Sequence, residues 1–218
     1  MKIRSGRILL GGALLAASSC MPTAGLQSGR SLGKGNGVIT PYIHGGDMYL
    51  PRDDSEAYAR FLPSAGAQFA TGSTDRLDLG GKVDLSSFLT AQVRYQLLGN
   101  RQSTWAVGAG AEFGLMLAPV LIGGTFYYYS VPVIVSYHPT ERLCVYANPR
   151  YTFGQRRVVE NANGSGRDAF RQNRQQSGFA YGVLMGSKNK FSLEVGHFSD
   201  NLYQPTQVAL SYTIWFDK

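Results

Sequence analysis

Of the three histidines in the 218-residue chain, one has neighbours that suggest chemistry. The run His197-Phe198-Ser199-Asp200-Asn201 places an imidazole two residues before a hydroxyl. Residues two apart on an extended strand share a face, so His197 is placed to take the Ser199 proton and make a nucleophile. Asp200 adjoins Ser199 and so points to the opposite face, where it cannot orient the imidazole. The plainer reading is an interfacial histidine beside a polar rim. No Cys/His spacing fits a metal site. Gly33-Lys34-Gly35-Asn36-Gly37 lacks the spacing and the following helix of a phosphate loop. No metal and no cofactor are expected.

Three further groups of residues carry charge or apolar surface in a pattern. Asp78, Lys82, Asp84, Arg94, Glu112, Arg150 and Glu194 all fall on the polar parity of alternating segments. Enclosed together they must pair, because an unpaired buried charge is costly. They would then form a structural plug or, if a continuous channel runs through them, an ion path. Arg156, Arg157, Arg167, Arg171 and Arg174 outnumber Glu160 and Asp168 between residues 155 and 177. Such a loop can hold phosphates by bidentate arginine bonds, or it can simply be solvated. The stretch 115–122, with Leu115, Met116, Leu117, Val120, Leu121 and Ile122, is the most apolar run after the first twenty residues. An exposed patch of that kind marks a partner or a membrane contact, and Tyr127, Tyr128 and Tyr129 just beyond it suit a membrane interface.

These residues sit on a repeated period-2 pattern that begins near residue 38. Val208, Leu210, Tyr212, Ile214 and Phe216 alternate with Gln207, Ala209, Ser211, Thr213 and Trp215; Leu89, Ala91, Val93, Tyr95 and Leu97 oppose Thr90, Gln92, Arg94 and Gln96. Ten such segments are expected, at about 38–45, 60–72, 77–86, 88–98, 104–115, 125–138, 143–154, 178–187, 190–199 and 206–217, with eight strands as the smaller alternative. One face is apolar and aromatic while the other carries Gly, Gln, Arg and Glu, as in a barrel turned outward to lipid. Most segments have the length a tilted strand needs to cross a bilayer. Short polar turns (73–76, 99–103, 139–142, 187–190) alternate with longer connections. By this pattern the chain resembles bacterial outer-membrane barrels, an antiparallel up-and-down all-β fold, also in its near-terminal aromatic Phe216. The resemblance implies that both termini lie on the periplasmic side. A secreted β-sandwich lipoprotein is the soluble alternative.

Composition agrees with a membrane barrel. Charged residues are 16% and aromatics 12%, with 27 Gly and 13 Tyr, where a soluble domain carries about 25% charge. So many aromatics argue against disorder. Lys2, Arg4 and Arg7 precede the apolar stretch Ile8–Ala17, too short for a transmembrane helix and suited to a secretory signal. Ala17-Ser18-Ser19-Cys20 resembles a bacterial lipobox, with Ala17 where that pattern prefers Leu; the resemblance implies cleavage before a lipidated Cys20. Residues 1–19 are then a signal peptide, 20–37 a flexible Gly-rich tether and 38–218 the barrel. Removing the leader takes three of 21 Lys+Arg and none of 14 Asp+Glu, so the net charge falls from +7 to +4. The excess is concentrated at 155–177, which argues against nucleic acid. Cys144 is expected to face the lumen unreacted.

The stretch at His197 also resembles the lipid A 3-O-deacylases and, more loosely, the outer-membrane phospholipases. Those barrel hydrolases carry a His-x-Ser-Asn stretch at a strand end and a proline in the next loop, which Pro205 would match. The resemblance implies an outward-facing site for a lipid substrate. Two departures oppose it: Asp200 splits the Ser-Asn pair, and the family's orienting Glu would fall near Thr206 or Gln207. The leading expectation is therefore a structural or accessory barrel that presents its loops to lipopolysaccharide or to a larger outer-membrane protein complex. Lipid deacylation and a narrow pore are the alternatives.

Overall fold

A computed structural model describes residues 27–50, 58–85, 88–116, 124–159, 169–200 and 206–217. Ten strands follow in chain order: β1 (Gly37–Leu50), β2 (Tyr58–Gly72), β3 (Leu77–Asp84), β4 (Phe88–Leu98), β5 (Trp105–Met116), β6 (Gly124–Thr140), β7 (Leu143–Val159), β8 (Ala169–Met185), β9 (Lys190–Asp200) and β10 (Thr206–Phe216). Each pairs antiparallel with its sequence neighbour, and β10 returns to pair with β1, closing the barrel. Closure leaves no edge strand, so the ladder is satisfied around the whole circumference, which a wall facing hydrocarbon requires. Among the described residues there is no helix. The ten-strand, all-β, up-and-down architecture is the one the alternation predicts.

The side-chain parity is inverted relative to a soluble protein. Ile43, Phe69, Leu79, Val93, Val131, Val145, Leu193 and Leu210 are exposed on the outer wall, whereas Gln68, Lys82, Asn148 and Glu194 are buried inside. Aromatic pairs flank the apolar wall towards both ends. Trp105 packs on Tyr137 and Phe191 on Tyr212, each at 4.6 Å between ring centres. Towards the opposite end Phe113 packs on Tyr129 at 5.1 Å. Such girdles are what a barrel needs at two water–lipid interfaces.

The two ends differ. The chain enters β1 and leaves β10 at the end that carries the short turns 73–76, 99–104, 141–142 and 186–189, here termed the terminal mouth. Towards the other end β6, β7 and β8 have 17 residues each. At roughly 3.3 Å per residue such strands run about 56 Å, longer than an apolar band about 25 Å tall requires even when tilted. The long hairpin explains a correction. Residues 155–177, read from composition as a loop, are largely strand: β7 and β8 stay in register to Val159↔Ala169. Arg156 and Arg157 lie on β7, Arg171 and Arg174 on β8, and Arg167 falls outside the described residues. Polar residues follow one another in Gln155–Arg157 and Arg171–Gln176, so the strand continues there without its alternating signature.

A second correction concerns residues 27–36. The Gly-rich composition suggests a free tether, yet the stretch from Ser28 to Asn36 is bonded into the terminal mouth. Ser31 and Leu32 are buried. Gly33 and Gly35 take positive φ, 77° and 81°, to turn the chain out into β1, and the Gly35 amide donates to the Gly72 carbonyl at 2.9 Å. A Cβ on Gly72 would overlap the Gly33 backbone. The glycines here allow close backbone approach, not flexibility. Residues 1–26, including Cys20 and the rest of the expected tether, lie outside the described residues.

Candidate functional site: the lumen and the outward histidine

The lumen is filled in two ways. Four of the inward-pointing large rings each lie across a glycine on the neighbouring strand: Tyr42 opposite Gly66, Tyr128 opposite Gly114, Tyr146 opposite Gly182 and Phe198 opposite Gly178. A Cβ at any of these glycines would overlap the facing ring. Three of the tyrosines and four of the glycines thus share one packing device, a ring laid on a bare stretch of backbone.

Charge fills the remaining space. All seven charged residues assigned to inward parity are buried, none more than 8% exposed. Lys82 Nζ donates to Glu112 Oε1 at 2.9 Å, and Arg150 approaches the other Glu112 oxygen at 3.8 Å. Arg94 pairs with Asp78, its Nε donating at 3.2 Å. The Tyr146 hydroxyl donates to Glu194 at 2.8 Å. Asp84 lies away from the terminal mouth, where it accepts from Ser64 at 2.7 Å and Tyr42 at 3.1 Å and meets His44 Nε2 at 2.8 Å. Neutral partners add to these: Thr90 with Tyr128 at 2.8 Å and Ser130 with Thr152 at 2.9 Å. His44, Tyr42 and Ser64 did not stand out in the sequence, although His44 shares the inward parity of Tyr42 and that signal was available.

The inserted segment joins this network at the terminal mouth. Asp78 accepts from the Ser31 hydroxyl at 2.7 Å and from the Leu32 amide at 3.0 Å. Arg94 donates to the carbonyls of Ser28 at 2.7 Å and Arg30 at 3.1 Å. Gln96 accepts from the Ser31 amide at 2.7 Å, and Ser136 from the Gly29 amide at 3.0 Å. Arg30 in turn donates to the Ser103 carbonyl at 3.0 Å, and burial lowers its pKa from the ordinary arginine value. One ion pair, Arg94–Asp78, therefore holds both the wall and the plug. Most of the groups the segment itself contributes are backbone amides and carbonyls, met by wall side chains, so its side-chain sequence carried little trace of the docking.

His197 and Ser199 lie on β9 with the parity read from the sequence: both are exposed on the outer wall, while Phe198 between them is buried in the lumen. The imidazole meets the Thr206 hydroxyl at 3.2 Å through Nδ1 and the Tyr181 hydroxyl at 3.5 Å through Nε2. Among the described residues no hydrogen bond joins His197 to Ser199, and no carboxylate partners the ring. Thr206 occupies the place where a hydrolase would need its orienting acid; a hydroxyl can set the tautomer but cannot stabilise the imidazolium as a carboxylate does. Asn201 and Pro205 lie outside the described residues, and so do Leu117, Val120, Leu121 and Ile122. Leu115 is exposed on the outer face of β5, and Met116 ends that strand. Cys144 is buried, inward and free.

No protein-family model matches the chain, and no curated protein matches it. Solved structures similar to most of it are bacterial barrels of low identity. Ail, the attachment invasion locus protein of Yersinia pestis, is 11% identical over 84% of this chain and 99% of its own, with a TM-score of 0.42. The N-terminal barrel domain of Pseudomonas aeruginosa OprF is 11% identical over 84% and 99%, TM-score 0.38. The outer-membrane protein OprG of the same species is 7% identical over 88% and 100%, TM-score 0.38.

The shared Asp78 carboxylate yields a test. Asp78→Asn removes the charge that answers Arg94 and weakens the anchor of Ser31 and Leu32. Losing hydrogen bonds to a charged group costs about 1.5–3 kcal/mol, so trypsin is expected to cut after Arg30 roughly tenfold faster or more than in the parent protein. An unchanged cleavage rate would show that the plug is not held by this pair.

Proposed function

We propose that the chain is a closed outer-membrane β-barrel with an accessory role. In this reading it is anchored by a lipid on Cys20, has both termini in the periplasm, and presents the β6–β8 end outward to a membrane-protein complex or to lipopolysaccharide. The observation that carries the reading is the filled lumen: ion pairs, rings over glycines and the inserted segment occupy the space a conducting path would need. What is left to act is the outer surface. Arg156, Arg157, Arg171 and Arg174 are carried on the projecting β7–β8 hairpin, where guanidinium groups suit phosphates or acidic side chains. Six residues separate Cys20 from Gln27, which limits their reach to about 20 Å; a lipid there would hold the terminal mouth close to the inner leaflet. The hydrolase reading has the outward parity of His197 and Ser199 in its favour, but the histidine's contacts to Thr206 and Tyr181 give it less support.

Extraction in mild detergent from native membranes tests the accessory role. The protein is expected to elute together with a larger outer-membrane complex, and consistent elution at the mass of a single barrel would contradict it. Purified full-length protein in a planar bilayer is expected to stay electrically silent; stepwise conductance would instead establish the pore.

A further inference from the structure

The terminal mouth contains a cavity of about 370 Å³ between the inserted segment and the ends of β1, β9 and β10. Its lining is unusual in charge. Arg30, Arg94, Arg101, Lys188 and Lys190 all border it, against Glu141 as the carboxylate among the lining residues described. Two of the five cations are already answered: Arg94 by Asp78, and Lys188 by Asp217 at 2.5 Å. The other three have no close ion pair among the described residues, although Glu141 acts on Arg30 and Asp217 on Arg101 at longer range. Arg30 donates to a neutral carbonyl. The Arg101 guanidinium stands 5.8 Å from the centre of the Trp215 ring. Lys190, half-buried on the inward parity of β9, has no hydrogen-bond or ion-pair partner among the described residues. No ion pair joins Glu141 to any of them.

Like charges gathered at one half-open mouth, Arg30 and Lys190 half-buried and Arg101 on the exposed rim, favour an anion between them. The remaining lining is built for polar contact. The Thr40 and Thr213 hydroxyls face each other at 3.0 Å. The buried amide nitrogen of Gln27 has no partner among the described residues. The indole of Trp215 supplies one flat apolar wall beside Leu32 and Val38. Residues 1–26 contain no Asp or Glu.

We propose that the terminal mouth binds a small organic anion, a phosphate or carboxylate carried on a body of sugar size. Lys190, Arg30 and Arg101 hold the oxyanion, and the body lies towards Trp215. The volume falls in the range of small-molecule sites, about 300–1,000 Å³. The site is separate from the outward histidine and from the β6–β8 end, and it does not depend on the accessory role.

Trp105 lies on the lipid-facing wall, so in full-length protein carrying Trp105→Phe the emission of Trp215 reports on this cavity. Glucose 6-phosphate is expected to change that emission saturably, inorganic phosphate to do so too, and glucose to leave it unchanged. Lys190→Gln should weaken glucose 6-phosphate about tenfold or more, as loss of a charge-assisted bond implies, while Lys190→Arg retains it. Should Lys190→Gln fail to fold, as judged by heat-modified gel mobility, Arg101→Gln at the exposed rim should show the same direction of loss. Tighter binding of glucose 6-phosphate than of phosphate supports the wall at Trp215; equal binding supports the oxyanion site alone. No saturable change by either phosphate up to about 10 mM (a Kd weaker than the millimolar range), an equal response to glucose, or unaltered binding by the charge-removing variants would overturn the proposal.

Discussion

A charged side chain enclosed by a wall of apolar residues must be answered from inside, by other inward side chains or by the backbone of the inserted segment. Every other feature of this barrel's interior follows from that constraint. Lys82 is matched to Glu112, Arg94 to Asp78, and Asp84 is ringed by His44, Tyr42 and Ser64. In a soluble domain such pairs are commonly neutral for stability, since apolar residues could replace them. Here the apolar residues are already committed to the outside, and polar groups must pack the inside. The interior is a core by geometry, made of the side chains a soluble core excludes.

Glycine completes this design. A lumen with charged pairs at several levels leaves gaps too wide for serine or threonine to fill. Tyrosine fills them, and its hydroxyl joins the network, as Tyr146 does with Glu194 and Tyr128 with Thr90. A ring laid that close needs a bare strand opposite, which is why glycine faces Tyr42, Tyr128, Tyr146 and Phe198. The same economy of backbone approach appears where Gly33 passes Gly72, and there it lets the chain that precedes the barrel become part of its interior.

Parity was the legible quantity. Inward placement of Glu112 or Arg150 and outward placement of His197 both follow from counting in twos, as does the even strand number. Partners were not legible. Which carboxylate meets Lys82 depends on the register between strands distant in sequence, and β3 and β5 lie two strands apart in the wall. The insertion of Ser28–Asn36 left no pattern at all, because it is recognised mostly through backbone carbonyls and amides. The extra length of β7 and β8 was hidden for a different reason: polar residues run consecutively there, as in Gln155–Arg157 and Arg171–Gln176, and the two-residue period has little contrast to show. At His197 the strand position was readable, while its contact with Thr206 required the pairing of β9 with β10.

The account rests on the claim that the inward charges interlock as the barrel's core. A double-mutant cycle on Lys82 and Glu112, with Lys82→Met and Glu112→Gln alone and together, tests it through folding free energies in phospholipid bilayers. Groups in one ion-pair network couple by about 0.5–3 kcal/mol. The account predicts a value in the upper part of that range, with the double variant losing far less stability than the sum of the two single losses. A coupling near zero would contradict it, because the two side chains would then be packed side by side without holding each other.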